Sequence, residues 1–446
     1  MNLQPLISQH GLDDVLAWRP AGPVRVRTFL EQAQALAGQL PPGAWLLNMC
    51  EDRYHFAVGF IAGLLAQKIS LQPSSQSPET LKRIAHDYPD VVCLKDGADD
   101  WAGLTCIDFP DLSESEKMNL TEIPALPCNQ VAAILFTSGS TGAPQPHPRT
   151  FGQLAKSALS EAQGLDVVNR GPVIVGTVPA QHSFGFESTF LLALYGGCSF
   201  WSGKPFFPQD IVDALVIVPM PRMLVTTPFH LSALVSSGLR LPKIEMVLSA
   251  TAPLNASLAS QAEACAGAPV HEIYGSTETS ALATRRTTEG SAWTLLPGVA
   301  LRQEGDATYA SEGHVPSLVA LTDIVELSGH RQFLLHGRHA DLVIIAGKKT
   351  SLAYLNAQVS EIEGVQDVAF FLPDADANRN GRLTAFVVAP GIARTVLVAA
   401  MRQRLDAVFM PRPLIQVDAL PRNSMGKLPR SQLQALYEKN RAHVRD

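Results

Sequence analysis

Apolar positions recur along the chain in two alternating rhythms. Residues 27–40, RTFLEQAQALAGQL, set Phe29, Leu30, Ala33, Leu36 and Leu40 on one helical face. AWLLNM at 44–49 then reads as a buried strand, 53–66 as a helix and Lys68–Leu71 as a short strand. The alternation resumes with a strand at Val131–Phe136, a helix at 151–163, a strand at 172–178 and a helix near 186–195. A strand at 222–227, a helix at 229–236 and a strand at 244–249 follow. Repeated strand–helix alternation predicts a layered α/β domain. From about Arg302 the rhythm changes to short strands at 317–321, 324–327 and 332–336, separated by turn-prone residues. A helix around 352–361, strands at 365–371 and 383–389, a helix at 393–408 and a basic segment at 420–430 complete the pattern. The expectation is an α/β protein. A large multi-layered α/β domain covers 1–336, and a small α+β domain covers 337–446, joined by a short hinge at Gly337–Asp341.

Composition narrows the class. At roughly 100–200 residues per domain, the 446 residues suit a multidomain globular protein. Thirty-five Lys and Arg against 41 Asp and Glu give a net charge of -6, without the basic surplus of a nucleic-acid binder, so no nucleic-acid partner is expected. The longest apolar run, Phe56 to Ala66, is short of the roughly 20 residues of a spanning helix. The opening MNLQPLISQHGLDD has no basic flank before an apolar stretch. Neither a stable membrane anchor nor a secretory leader is expected, and the cytoplasm is the expected compartment. The six cysteines, at 50, 93, 106, 128, 198 and 265, form no CxxC pair and read as reduced, buried thiols.

The most informative segment is Ile134-Leu-Phe-Thr-Ser-Gly-Ser-Thr-Gly-Ala-Pro144. A buried strand runs into six residues that are only Thr, Ser and Gly. Gly139 and Gly142 let backbone N–H groups turn toward an anion, and the hydroxyls of Thr137, Ser138, Ser140 and Thr141 add donors for a triphosphate. A polar surface loop would have the same composition. The string is not GxxxxGK[ST], and the chain carries no GxSxG elbow, GxGxxG fingerprint or HExxH pair.

TSGSTGAP is similar to the signature loop of the adenylate-forming superfamily, which comprises acyl- and aryl-CoA synthetases, peptide-synthetase adenylation domains and luciferases. The family loop continues with Lys-Gly. Here Gln145 and Pro146 stand in those places, with His147 and Arg149 the nearby cationic residues. Further strings resemble family motifs in the family's order. Pro179-Ala-Gln-His-Ser-Phe-Gly-Phe186 resembles the segment bordering the acyl pocket. It implies His182 beside the reacting carboxylate and Phe184 and Phe186 as pocket walls, joined by Phe229 of TTPFH. Ser249-Ala-Thr-Ala-Pro-Leu254 resembles the adenine-flanking turn and implicates Thr251, Ala252 and Pro253, although a plain strand-to-helix turn looks alike. Tyr274-Gly-Ser-Thr-Glu-Thr279 resembles the central nucleotide motif. Tyr274, with Gly275 and Ser276, would lie against adenine. Thr277 would donate to the α-phosphate, and Glu278 would offer a hard oxygen to Mg²⁺. Asp323 of Leu321-Thr-Asp323 resembles the residue that accepts from the ribose hydroxyls, and Arg338 of Gly337-Arg338 the ribose- and phosphate-facing arginine. Pro421-Arg-Asn-Ser-Met-Gly-Lys427 resembles the terminal motif with the catalytic lysine, Lys427, whose charge would offset that built up at the α-phosphate.

The resemblance implies an ATP- and Mg²⁺-dependent enzyme. It would convert a small-molecule carboxylic acid to an acyl adenylate and pass the acyl group to a thiol, either coenzyme A or the phosphopantetheine of an acyl carrier protein. AMP and pyrophosphate would be released. The short chain and its aromatic residues Phe184, Phe186, Phe229 and Tyr274 resemble the compact ligases of aryl-polyene and xanthomonadin-type pigment pathways, which implies an aromatic acid such as a hydroxybenzoate. A medium-chain fatty acid is the alternative substrate. A non-catalytic nucleotide-binding regulatory relative is the alternative of another class, motivated by Gln145 and by Ala340 at the hinge.

Overall fold

The computed structural model describes residues 2–73, 75–98, 103–112, 120–137, 145–305, 307–338, 341–345, 348–373, 383–422 and 428–440. Ser138, Gly139, Ser140, Thr141 and Gly142 of the Ser/Thr/Gly loop, the hinge residue Ala340 and Lys427 lie outside the described residues.

Two sheets organise the large part of the chain. One has six strands in the order Gln145–Thr150, Val131–Thr137, Ile69–Gln72, Trp45–Asn48, Val92–Lys95, Thr105–Asp108. All are parallel except the edge strand Gln145–Thr150, which runs antiparallel to Val131–Thr137. The second sheet has eleven strands. Its parallel run passes through Val15–Arg19, Ser199–Trp201, Val173–Gly176, Arg222–Thr226, Met246–Ser249 and Val270–Ser276. It then turns antiparallel through Ser280–Arg286, Trp293–Leu295, Gln332–Arg338 and Asp323–Leu327.

Side-chain alternation on these strands dictates the layers. Leu46, Leu94, Ala133 and Leu135 of the first sheet and Ile174, Met223, Val225 and Leu248 of the second bury against one shared set of helices between the sheets. Helix Arg53–Leu65 lies in that middle layer. It carries the Phe56–Ala66 run and is buried nearly all round, as a helix apolar on every side must be. Asp52 starts it by accepting from the N–H groups of Tyr54 (2.8 Å) and His55 (3.0 Å). Helix Phe151–Gly164 contributes to the same apolar cluster and is opened by a reciprocal cap between Thr150 and Gln153. Helix Pro78–Asp87 covers the outer face of the first sheet. Helices Pro208–Ile217, Pro228–Ser236 and Ala256–Ala266 cover the outer face of the second. The result is five alternating helix and sheet layers, with the strand ends between the two sheets free to build a site.

Beyond residue 342 the elements are smaller. A hairpin, Leu342–Ile345 with Lys348–Ser351, precedes helix Leu352–Ser360 and a three-stranded sheet of Asp367–Phe371, Thr384–Val388 and Leu414–Gln416. The apolar clusters here draw only on residues between 343 and 437. At the junction Gly337 has φ +113°, and a Cβ there would sit 2.9 Å from the Ser351 hydroxyl. That hydroxyl donates to the carbonyl of His336 at 2.8 Å.

Two expected helices differ in their bounds, and 145–150, a stretch with no expected element, is ordered as well. The helix expected over 393–408 ends at Arg404, because Leu405 is extended and Asp406 caps a separate short turn, Ala407–Phe409, at the N–H of Val408. The helix expected near 186–195 starts at Ser183 and widens to a π-helix over Phe186–Leu191, where the Thr189 hydroxyl donates back to the Gly185 carbonyl. QPHPRT at 145–150, with two prolines, is a strand. Its place at a sheet edge tolerates residues without an N–H.

Glu161 is fully buried on helix Phe151–Gly164, and burial pushes its carboxyl up to about 8, with Ser188 opposing and Glu187 reinforcing. The folded chain therefore holds a proton that the unfolded chain releases, and stability falls as pH rises from about 4.5 to about 8. Glu161→Gln should raise stability at pH 8 by about 4 kcal/mol and change it little at pH 4, measured by denaturant unfolding at both pH values. Equal effects at the two pH values would contradict this.

Candidate functional site

The site is built around the hairpin where the second sheet changes direction. Strand Val270–Ser276 turns through Thr277–Thr279 into Ser280–Arg286, with Gly275 opposite Ala281 and a bulge between Tyr274 and Gly275. A Cβ on Gly275 would lie 2.3 Å from the carbonyl oxygen of Ser280, so the close crossing needs glycine. Thr279 stitches the turn: its hydroxyl accepts from the N–H of Ser276 at 3.2 Å and donates to the carbonyl of Ser280 at 2.9 Å. Ser280 sits at φ +60°, in the left-handed region that a non-glycine residue rarely adopts.

On one side of the hairpin, Tyr274 donates its hydroxyl to Asp323 Oδ2 at 2.9 Å. Its ring packs on Trp293 and Phe333, each 5.6 Å between centroids. Asp323 pairs in register with Arg338 across neighbouring strands. Tyr274, Asp323 and the backbone of Arg338 thus converge from three separate stretches of chain.

On the other side lies the edge strand of the first sheet. Thr137 and Gln145, the ends of the Ser/Thr/Gly loop, face each other in register. Thr137 Oγ1 lies 3.1 Å from His147 Nε2, which in turn lies 3.8 Å from Glu278 Oε1. Burial holds the His147 imidazole below its usual value, with Glu278 opposing and Arg149 reinforcing. Arg149 is only 4% exposed. Its Nη2 donates to the carbonyls of Thr277 (2.6 Å) and Glu278.

The 179–186 segment meets the same turn. Ser183 Oγ lies 3.3 Å from Thr277 Oγ1. His182 caps the short helix Ser183–Gly185, with Nδ1 accepting from the N–H of Phe184 at 3.3 Å, so the neutral ring carries its proton on Nε2. Buried Arg53 holds this segment from below, donating to the carbonyls of Gly176 and Val178 (each 3.0 Å) and to the Thr189 hydroxyl (2.8 Å). Phe184 is buried within this segment. The Phe186 ring is fully buried against Phe56, Phe60 and Phe190. Phe229 is 42% exposed on helix Pro228–Ser236, edge-on to His230. In the 249–254 turn, Thr251 has φ +79°, a strained conformation for a β-branched residue, with Ala252 and exposed Pro253 following.

Sequence reasoning passed over Glu187, Ser183 and Arg53. Glu187 is buried, and one of its oxygens accepts from the N–H of Ala281 at 3.2 Å. Burial pushes its carboxyl up to about 7, against the pull of Arg149, the Ala281 N–H and the Ser280 hydroxyl. A Glu inside the apolar stretch 184–194 was the available signal. Glu278 presents a partly exposed carboxylate beside the Thr277 hydroxyl, and no cluster of three acidic, His or Cys ligands occurs among the described residues. One hard carboxylate suits a divalent ion that keeps waters and phosphate oxygens as its other ligands.

Comparison with known proteins adds to this geometry. A family model described as AMP-binding enzyme matches residues 45–309. A 4-coumarate–CoA ligase of Rhodobacter capsulatus is 31% identical over 301 residues, covering 66% of this chain and 74% of that protein. A 2-succinylbenzoate–CoA ligase of Bacillus velezensis is 23% identical over 446 residues, covering 91% and 88%. Among solved structures, ATP-bound MatB from Rhodopseudomonas palustris superposes with a TM-score of 0.82 at 21% identity, over 96% of each chain. The o-succinylbenzoate CoA synthetase MenE of Bacillus subtilis, with its acyl-adenylate intermediate, gives 0.81 at 20% identity, over 97% of this chain and 99% of that one. These two likenesses show a shared fold.

The crossing at Gly275 yields a direct check. Gly275→Ala should cost roughly 1–3 kcal/mol by forcing the Ser280 carbonyl aside. An unchanged unfolding midpoint would mean that the hairpin does not cross so closely.

Proposed function

The chain belongs to the AMP-binding enzyme family, and on that premise we propose that it is an AMP-forming acid–thiol ligase acting on an aromatic carboxylic acid. The observation that carries this reading is the meeting of Tyr274, Asp323 and Arg338 beside the Thr277–Glu278 turn. A phenol, a carboxylate and an arginine position at the rim of one turn suit an adenosine group, and the turn suits its phosphates.

In this reading Tyr274 and the 251–253 turn flank adenine, and Asp323 accepts from the ribose hydroxyls. Thr277 donates to the α-phosphate, with Ser183 next to it. The loop 137–142 takes the outer phosphates. Bound Mg²⁺ would supply positive charge against phosphate oxygens, with Glu278 as the residue that holds it. The acid's carboxylate oxygen attacks the α-phosphorus, its bond to the pyrophosphate oxygen breaks, and pyrophosphate leaves. Positioning and charge neutralisation suffice for this step, so no protein nucleophile is needed. In this reading His182, with its proton on Nε2, donates to the carboxylate, and Lys427 offsets the growing negative charge. The part from 337 onward then swings about 338–341 and admits a thiol, whose sulfur displaces AMP to leave a thioester.

The aromatic acid is favoured because curated relatives carry aromatic names, 4-coumarate and 2-succinylbenzoate. The same names favour coenzyme A as the acceptor over a carrier-protein phosphopantetheine.

The deciding experiment is ATP–pyrophosphate exchange over a panel of aryl and fatty acids, repeated for thioester formation with coenzyme A and with a carrier protein. Aryl acids should support exchange. Preference for medium-chain fatty acids would overturn the substrate class. ATP binding without exchange by any acid would favour a regulatory nucleotide binder. Lys427→Ala should abolish adenylate formation while sparing thioester formation from supplied acyl adenylate; equal loss of both steps would remove Lys427 from its role.

A further inference from the structure

Strand Gln145–Thr150 points alternate residues the same way. His147 and Arg149 both reach the Thr277–Thr279 turn, which leaves Pro146 and Pro148 on the opposite face. Arg149 approaches the turn from the first sheet and binds the carbonyls of its first limb, at Thr277 and Glu278. Glu187 approaches from the helix segment between the sheets and accepts from the N–H of Ala281 on the second limb. Donor thus meets carbonyl on one limb and acceptor meets N–H on the other. These contacts from outside add to the internal stitch of Thr279 in a hairpin whose register shifts at the bulge between Tyr274 and Gly275 and whose Ser280 is in the left-handed region. A non-glycine residue there costs on the order of 1 kcal/mol or more and persists only when its surroundings hold it.

We propose that Arg149 and Glu187 are positioning residues that clamp the Thr277–Glu278 turn and so aim its hydroxyl and carboxylate at the phosphate end of a bound nucleotide. The inference rests on the nucleotide-binding reading above and extends it to two residues from outside the hairpin. A rotation of the Thr277–Glu278 peptide would swing both side chains, and reactive groups tolerate only about 0.5 Å of such error. Tyr274 and Asp323 lie before the bulge and on a separate strand, tied to each other by their own hydrogen bond. The clamp therefore governs the phosphate end and leaves the adenosine end alone. Arginine suits the task because one planar guanidinium can serve two carbonyls at once, which a lysine ammonium does less rigidly.

The test measures affinity for adenosine and for ATP with Mg²⁺ by calorimetry on the full chain, for wild type, Arg149→Lys, Arg149→Met and the pair Arg149→Met with Glu187→Gln. The pair keeps an oxygen acceptor for Ala281 and leaves no buried carboxylate facing a lost cation, so it supplies a folded variant if Arg149→Met alone fails to fold. Each variant should bind ATP with Mg²⁺ at least tenfold more weakly than wild type and adenosine within twofold of it. The Mg²⁺ concentration for half-maximal ATP binding should rise in step. An equal loss for both ligands would make Arg149 a general structural residue, and unchanged ATP affinity would remove the clamp; either result overturns the proposal. Recovery of wild-type ATP affinity in the paired variant would also overturn it, since charge balance alone would then explain the effect. A wild-type chain that binds neither ligand would instead refute the nucleotide-binding reading itself.

Discussion

The Tyr274 hydroxyl can meet Asp323 only because the antiparallel half of the second sheet curls back on itself. Their strands are four places apart in the sheet order, about 19 Å if the sheet were flat at roughly 4.8 Å per strand. The observed 2.9 Å hydrogen bond requires the strands between to bend around Trp293 and Phe333, whose stacked rings fill the inside of the curve with Leu295, Val299 and Ala310. The apolar filling drives the bend and the hydrogen bond marks where it closes. Everything at the nucleotide end of the proposed site depends on that closure, since a flatter sheet would carry Asp323 and Arg338 out of reach of the hairpin.

The phosphate end depends on a different device. Arg53 and Arg149 are both buried, and each donates to two backbone carbonyls across the site. Burial lowers the Arg53 guanidinium to about 10, which leaves it charged at neutral pH. Burying a cation is costly unless its hydrogen bonds are met, so such residues persist where a precise backbone path is needed. Arg53 fixes the exit of strand Val173–Gly176 into the His182 segment, and Arg149 fixes the turn that this segment touches through Ser183. The two arginines thus set the relative height of the two loops on which the chemistry would be shared.

Much of this was legible in the chain. Strand–helix alternation gave the α/β layers because side-chain period is local, and most expected elements lie within a few residues of the observed ones. The motif strings drew attention to Tyr274, Thr277, Glu278 and Asp323, and the fold brings Tyr274 and Asp323 into hydrogen-bond contact. What was not legible is what depends on partners distant in sequence. QPHPRT has the composition of a loop and becomes a strand only because Val131–Thr137 offers it an edge. Phe186 sits beside His182 in the string, yet its ring is claimed by Phe56 and Phe60 from a helix more than a hundred residues earlier. Glu187 looks like a misplaced charge until the N–H of Ala281 comes over it. The helix break at Leu405 was missed because apolar spacing continues past it while Asp406 starts a new turn.

The prolines of the edge strand have an effect beyond the site. An open sheet border normally presents a row of N–H and C=O groups to which a stranger's strand can add. Residues 145, 147 and 149 are left to pair inward, because Pro146 and Pro148 have nothing to donate, so the outward row lacks its donors. The strand that carries His147 and Arg149 to the turn therefore also protects this flank against polymerisation, and crowded or partly unfolded molecules find no template on it.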